Sequence, residues 1–256
     1  MVIALAVVLG GYLALCALLF VTQRGLVYPA PRERAQPSGR SEIVEIPGGT
    51  PMLWRKADGD GPVVVHFHGN GEQVAWLGFL AEAYAQAGVS FAAVEYPGYP
   101  GAAGSPSEES ICAAADAAMK HLTGPMGVAK ERLVLEGQSL GSGVAVWLAE
   151  QGWGTRLVLL SPYTALPDVG ARAFPFFPVR LLMRDRFDSA SRAPSIRVPV
   201  LVLHGPADEV IPFELGKALA AKFPHARFVE VPGAGHNDLW DRRPTLDEAI
   251  RFVRGL

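Results

Sequence analysis

Cysteine is almost missing from this chain. Cys16 and Cys112 are the only two in 256 residues, too few for a disulfide framework or a cysteine zinc site. Cys112, set between Ile111 and three alanines, reads as a helix-packing thiol. An excess of basic charge is missing as well. The formal net charge is −2 at pH 7, and the lysines and arginines are scattered rather than striped, which excludes a nucleic-acid footprint. No internal repeat is found. The most informative absence is local: Met1 to Val21 carries no charged side chain.

About 20 apolar residues in a helix cross the hydrocarbon core of a bilayer. A cleavable signal peptide would need a basic start, a shorter apolar core and a small-residue cleavage site. No Lys or Arg precedes the run, and Thr22-Gln23-Arg24-Gly25-Leu26 offers no such site. Residues 1–22 are therefore expected to be an uncleaved single-pass anchor, with residues 23–41 as a Pro- and Arg-rich linker. Arg24, Arg32, Arg34 and Arg40 follow the span, and the positive-inside tendency favours a cytoplasmic domain. Single-span anchors with folded domains break that rule, so the side stays open.

Half of the residues are apolar, ample for one substantial core. Mixed polar and apolar segments at 42–46 and 52–56 flank Pro47-Gly48-Gly49 and predict an edge hairpin. Apolar runs then alternate with helical patterns to the end of the chain. Strands are expected at 63–67, 89–94, 133–136, 156–160, 198–203 and 227–231. This rhythm specifies an α/β domain over residues 42–256, with a mostly parallel central sheet covered by helices on both faces. Binding sites in such sheets gather at the carboxyl ends of the strands.

One strand end stands out. The run Leu133 to Glu136 enters Gly137-Gln138-Ser139-Leu140-Gly141, and a small-residue helical pattern follows at once. A Gly-x-Ser-x-Gly sequence is weak alone. Between a strand and a helix it describes a sharp turn that holds a serine out for attack, with glycines where side chains would collide. A serine hydroxyl needs a base, and the base needs an orienting carboxylate. Asp208 follows the strand ending at Leu203, and His236 follows the next strand. Ser139, Asp208 and His236 thus occur in the chain order of one hydrolase architecture. Taken singly, Asp208 also reads as a helix N-cap and His236 as a loop residue; Glu209 and Asp238 are the neighbouring carboxylates.

His66 and His68 form a His-x-His, but no compact cluster of further ligands accompanies them, so no metal and no organic cofactor is implied. His68 is expected to steady the loop after it. The backbone N–H groups of Asn70 and Leu140 are the candidate donors to an oxyanion. Residues 162–194 are irregular, with Pro167, Pro175 and Pro178 between the bounding prolines, a Phe174, Phe176 and Phe177 cluster, and one helical stretch at 179–184. A small cap over the strand ends is expected there, with Tyr163 and the three phenylalanines facing an apolar substrate.

His68-Gly69-Asn70-Gly71, Tyr96-Pro97-Gly98-Tyr99, the serine turn, Ser161-Pro162-Tyr163, the run from His204 to Pro212 and Gly235-His236-Asn237-Asp238 together resemble the α/β-hydrolase superfamily. Within it the chain is similar to the membrane-anchored Bem46-like group, with neighbours in the serine aminopeptidase fold family. The resemblance covers Ile43 to the C-terminus, and an apolar N-terminal span is a feature of that group too. Glu95 stands where relatives often carry aspartate, and Pro206-Ala207 replaces more polar residues. The resemblance implies a Ser-His-Asp hydrolase of small-molecule or lipid acyl esters, held at a membrane. An acyl-protein thioesterase or a serine peptidase would use the same residues. A catalytically silent, membrane-tethered binding scaffold is the alternative from another class.

Overall fold

The computed structural model describes residues 1–256. The chain opens with a helix, α1 (Val2–Val27), and an antiparallel hairpin, β1 (Glu42–Ile46) and β2 (Thr50–Arg55). Then follow β3 (Val63–Phe67), α2 (Gly78–Gln86), β4 (Ser90–Val94), α3 (Glu108–Thr123), β5 (Leu133–Gln138), α4 (Leu140–Glu150) and β6 (Leu157–Leu160). Three short helices come next, α5 (Leu166–Ala173), α6 (Val179–Leu182) and α7 (Ser189–Arg192). The domain closes with β7 (Val200–His204), α8 (Phe213–Ala220), β8 (Ala226–Glu230) and α9 (Arg243–Arg254).

All eight strands form one sheet in the order β1-β2-β4-β3-β5-β6-β7-β8. The first two are antiparallel to their neighbours, and the remaining pairings are parallel. This is the mostly parallel sheet that the alternating pattern predicts. Period-two alternation sends Val63, Val65, Leu133 and Leu135 to the face covered by α3, α4 and α8, and Val64, Val134 and Leu201 to the face covered by α2 and α9. At α3 the start is fixed by a capping box, in which the side chains of Ser107 and Ser110 each accept the other's backbone N–H.

Two boundaries differ from the sequence reading. The N-terminal helix runs five residues past the expected end at residue 22, because Gln23 and Arg24 find partners in the 182–185 loop. Its 26 apolar-dominated residues are long enough to cross a membrane. Within 162–194 the chain folds into three short helices rather than one, with the backbone of Leu166 tied to Arg186 and that of Ala190 to Thr164.

Sheet order places the site. From β3 the chain moves outward to β4, then returns to lay β5 on the other side of β3. The loops leaving β3 and β5 therefore flank a topological switch point, where the register pairs Phe67 with Gly137.

Candidate active site

Ser139 sits directly after β5 with φ 50 and ψ −119. This left-handed conformation costs a non-glycine residue about 1–3 kcal/mol and is held by its surroundings. The turn is tight enough to exclude side chains on both flanks: a Cβ on Gly137 would lie 2.3 Å from the Gly141 carbonyl oxygen, and one on Gly141 would lie 1.9 Å from that of Phe67. Ser142 braces the turn with its hydroxyl and its N–H, both donating to the Ser139 carbonyl.

The three sequence candidates meet here. The Nε2 of His236 lies 3.0 Å from Ser139 Oγ, and its Nδ1 lies 2.8 Å from Asp208 Oδ2. Asp208 is an unusually well-held carboxylate. Its Oδ1 accepts the N–H groups of Val210 and Ile211 at 2.9 and 2.7 Å, which closes a turn ahead of α8 and does not cap the helix, whose N-cap is Pro212. Its Oδ2 also takes the Ser161 hydroxyl at 2.7 Å and faces His204 Nε2 at 3.2 Å. Burial alone would push the carboxyl pKa up; the bonds from His204, His236 and Ser161 more than reverse that and hold it far below the ordinary carboxylate range. The loops carrying Asp208 and His236 are joined by the bond from Ala207 N–H to the Ala234 carbonyl. A Cβ on Gly205 would come within 2.1 Å of that same Ala234 oxygen, so glycine permits the contact.

The neighbouring carboxylates are engaged elsewhere or exposed. Asp238 accepts the Gly235 N–H at 2.6 Å and pairs with Arg242, bracing the turn that presents His236. Glu209 is exposed.

Beside Ser139 lies the loop after β3. Neither the Asn70 N–H nor the Leu140 N–H donates to a protein acceptor. The Asn70 side chain instead donates to the Val27 carbonyl at 3.3 Å, which ties this loop to the end of α1. Glu72 accepts the Gly69 N–H at 2.7 Å. His68 is buried with both ring nitrogens against acceptors, Nδ1 to the Gly69 carbonyl at 2.8 Å and Nε2 to Glu95 at 2.9 Å. Both contacts favour the doubly protonated, charged ring. Burial opposes that charge, but Glu95 outweighs it and the His68 pKa is raised. Glu95 also accepts the N–H groups of Val74 and Tyr96.

A family model described as TAP-like protein matches residues 183–252. An uncharacterized protein of Mycobacterium tuberculosis is 39% identical over 244 residues, covering 90% of this chain and 87% of that one. Alpha/beta hydrolase domain-containing protein 17C of Homo sapiens is 35% identical over 167 residues, 62% of this chain and 47% of that protein, so the chain spans about half the length of this relative. Among solved structures, an esterase of Pyrococcus furiosus superposes with a TM-score of 0.72 at 16% identity, covering 88% of this chain and 98% of the esterase. The chain belongs to the α/β-hydrolase superfamily.

In this hydrolase one remaining candidate, Tyr163, is placed differently from the sequence reading. Tyr163 is fully buried and donates its hydroxyl to the Leu140 carbonyl at 3.3 Å, so it props the serine turn from below instead of facing substrate. Phe174 and Phe177 turn toward α1, where Phe177 stacks on Tyr12 with ring centroids 5.9 Å apart. Phe176 is 85% exposed. His66 bonds Glu136 at 2.8 Å on the adjacent strand, and Tyr84 donates to the same carboxylate at 2.5 Å, inside the core. Sequence reasoning missed Ser161 and His204 as partners of Asp208. Their signal was the position of both directly at a strand end beside the Asp208 loop.

Proposed function

We propose that this α/β-hydrolase is a membrane-anchored serine hydrolase of the Bem46-like kind that cleaves carboxylic esters, lipid-like acyl esters above all. The observation that carries the reading is the continuous hydrogen-bond chain from Ser139 Oγ through His236 to Asp208, with separations of 3.0 and 2.8 Å.

In the proposed mechanism His236 Nε2 takes the proton of Ser139 as its oxygen attacks the ester carbonyl. Asp208 keeps the other proton on Nδ1 and stabilises the imidazolium that forms. The N–H groups of Asn70 and Leu140 receive the oxyanion, each worth about 3 kcal/mol in the transition state. The protonated His236 then gives its proton to the departing alcohol, leaving an acyl-serine. Water, deprotonated by the same imidazole, attacks that ester and restores the free serine. No step calls for a metal or an organic cofactor. The N-terminal helix supports membrane attachment and hence lipid-like substrates. A monoacylglycerol lipase of Paleococcus ferrophilus shares the fold, with a TM-score of 0.60 at 22% identity over 84% of this chain and 97% of the lipase.

The test is covalent labelling with a fluorophosphonate probe. The folded wild type is expected to label, and Ser139→Ala to lose the label completely. A folded wild type that stays unlabelled would support a binding scaffold instead.

A further inference from the structure

The last turns of the N-terminal helix are held against the cap. Arg24 pairs with the buried carboxylate of Asp185 at 3.0 Å. The Gln23 amide donates to the Leu182 carbonyl at 3.2 Å and accepts the Arg184 N–H at 2.8 Å. Higher up, the Tyr12 hydroxyl donates to the Phe176 carbonyl at 3.1 Å. Between these contacts α1 and the cap enclose a small, open-sided apolar groove of ≈ 90 Å³, whose walls include Leu19, Leu26 and Val27 on one side and Phe174, Phe177 and Val179 on the other.

Three observations say what such a groove holds. Tyr12 and Val27 are about 22 Å apart along a helix rising 1.5 Å per residue, so the cap packs along more than half of a helix that is long enough to cross a bilayer. Phe176 and Leu181 are 85% and 81% exposed on that side of the cap, a position that suits lipid and not water. The cap is also basic: six arginines and three aspartates lie between residues 166 and 197, which complements anionic headgroups. Val27 on the groove wall receives, at its carbonyl, the Asn70 side chain from the loop beside Ser139, so this wall borders the loop that carries a candidate oxyanion donor.

We propose that the acyl chain of a membrane-resident ester enters laterally from the bilayer and lies in this groove, so that the anchor helix is one wall of the substrate site. This rests on the serine hydrolase reading above. Because the chain passes from lipid to another apolar surface, chain-length preference reads contact with the groove walls and not removal from water.

The experiment compares kcat/KM for p-nitrophenyl dodecanoate and butyrate, using the full-length protein in phosphatidylcholine vesicles. Wild type is expected to favour the dodecanoate. Leu26→Trp and Leu19→Trp, which fill the groove from the helix side without touching the core of the domain, should each lower the dodecanoate-to-butyrate ratio at least tenfold. A wild type with no preference for the longer chain overturns the proposal even if both variants misfold. So does a ratio unmoved in folded variants, or fluorophosphonate labelling without turnover of the dodecanoate. Absence of both labelling and butyrate turnover would instead remove the serine hydrolase reading itself.

Discussion

Replacing Ser161 by alanine isolates one of the donors that hold Asp208. The hydroxyl lies 2.7 Å from Oδ2, both groups are buried, and the same oxygen keeps His236 at 2.8 Å and His204 at 3.2 Å after the change. Loss of a hydrogen bond to a charged acceptor costs about 1.5–3 kcal/mol. In a domain of this size that lowers Tm by roughly 2–4 °C per kcal/mol. The pH dependence has a definite sign. A carboxyl depressed in the folded state contributes stability above its unfolded pKa of about 3.9, lost as pH falls through the folded value. Ser161→Ala raises that folded value, so acid unfolding should begin at higher pH than in wild type. On catalysis the effect should be small. Activity at the plateau should stay within about tenfold, because the tautomer of His236 is unchanged. Asp208→Asn, which spoils that tautomer, should cost on the order of 10⁴. The assays are thermal and acid unfolding with a pH profile of ester hydrolysis. If Ser161→Ala is as inactive as Asp208→Asn, or its acid unfolding begins at lower pH than in wild type, the assignment of these donors is wrong.

Glu95→Gln should destabilise the fold by about 3–5 kcal/mol in urea unfolding at about pH 6, because it leaves the buried His68 imidazolium without its partner. A histidine whose folded pKa is raised contributes stability present below its unfolded value and lost as pH rises through the folded one, so the gap between variant and wild type should narrow in alkaline buffer; a constant gap would refute the charged pair. Gly205→Ala should lower kcat far more than it raises KM, since its methyl group would strike the Ala234 carbonyl and part the two loops that bring Asp208 to His236. Unchanged kcat in this variant, measured on a short acyl ester, would show that the loops are not held by that contact.

Much of this architecture is legible in the residues. Strand alternation, the glycines at 137 and 141, and the order Ser139, Asp208, His236 are local signals, and each survives because strand ends in a parallel sheet all present their loops on one rim. The cap is less legible for a physical reason. Which way Phe174 and Phe177 turn depends on Tyr12, Leu19 and Phe20, more than 150 residues away in sequence, and no periodicity within 162–194 encodes that partner. Tyr163 misleads in the same manner: an aromatic next to a strand end suggests substrate contact, but its hydroxyl is used to support the Leu140 carbonyl.

The donors around Asp208 show where reading by motif stops and reading by register begins. Parallel pairing sets Leu160 against Leu203, and Ser161 continues the ladder by donating its N–H to the Leu203 carbonyl at 2.9 Å. That one-residue offset puts Ser161 beside His204, the next residue on the neighbouring strand. Ser161 then bends away at φ 43, and its hydroxyl reaches Asp208. His204 is fixed from below, since a Cβ on Gly216 would lie 2.0 Å from its Nδ1, and its Nε2 faces both the Ile211 carbonyl and Asp208 Oδ2. Because both of those atoms are acceptors, the proton resides on Nε2 and points at the carboxylate. Asp208 is thus ionised before His236 arrives, by donors from two different strands. What the loop sequence around Asp208 supplies is the carboxyl group; what keeps it charged in a buried place is the pairing of β6 with β7, which aligns two residues 43 positions apart.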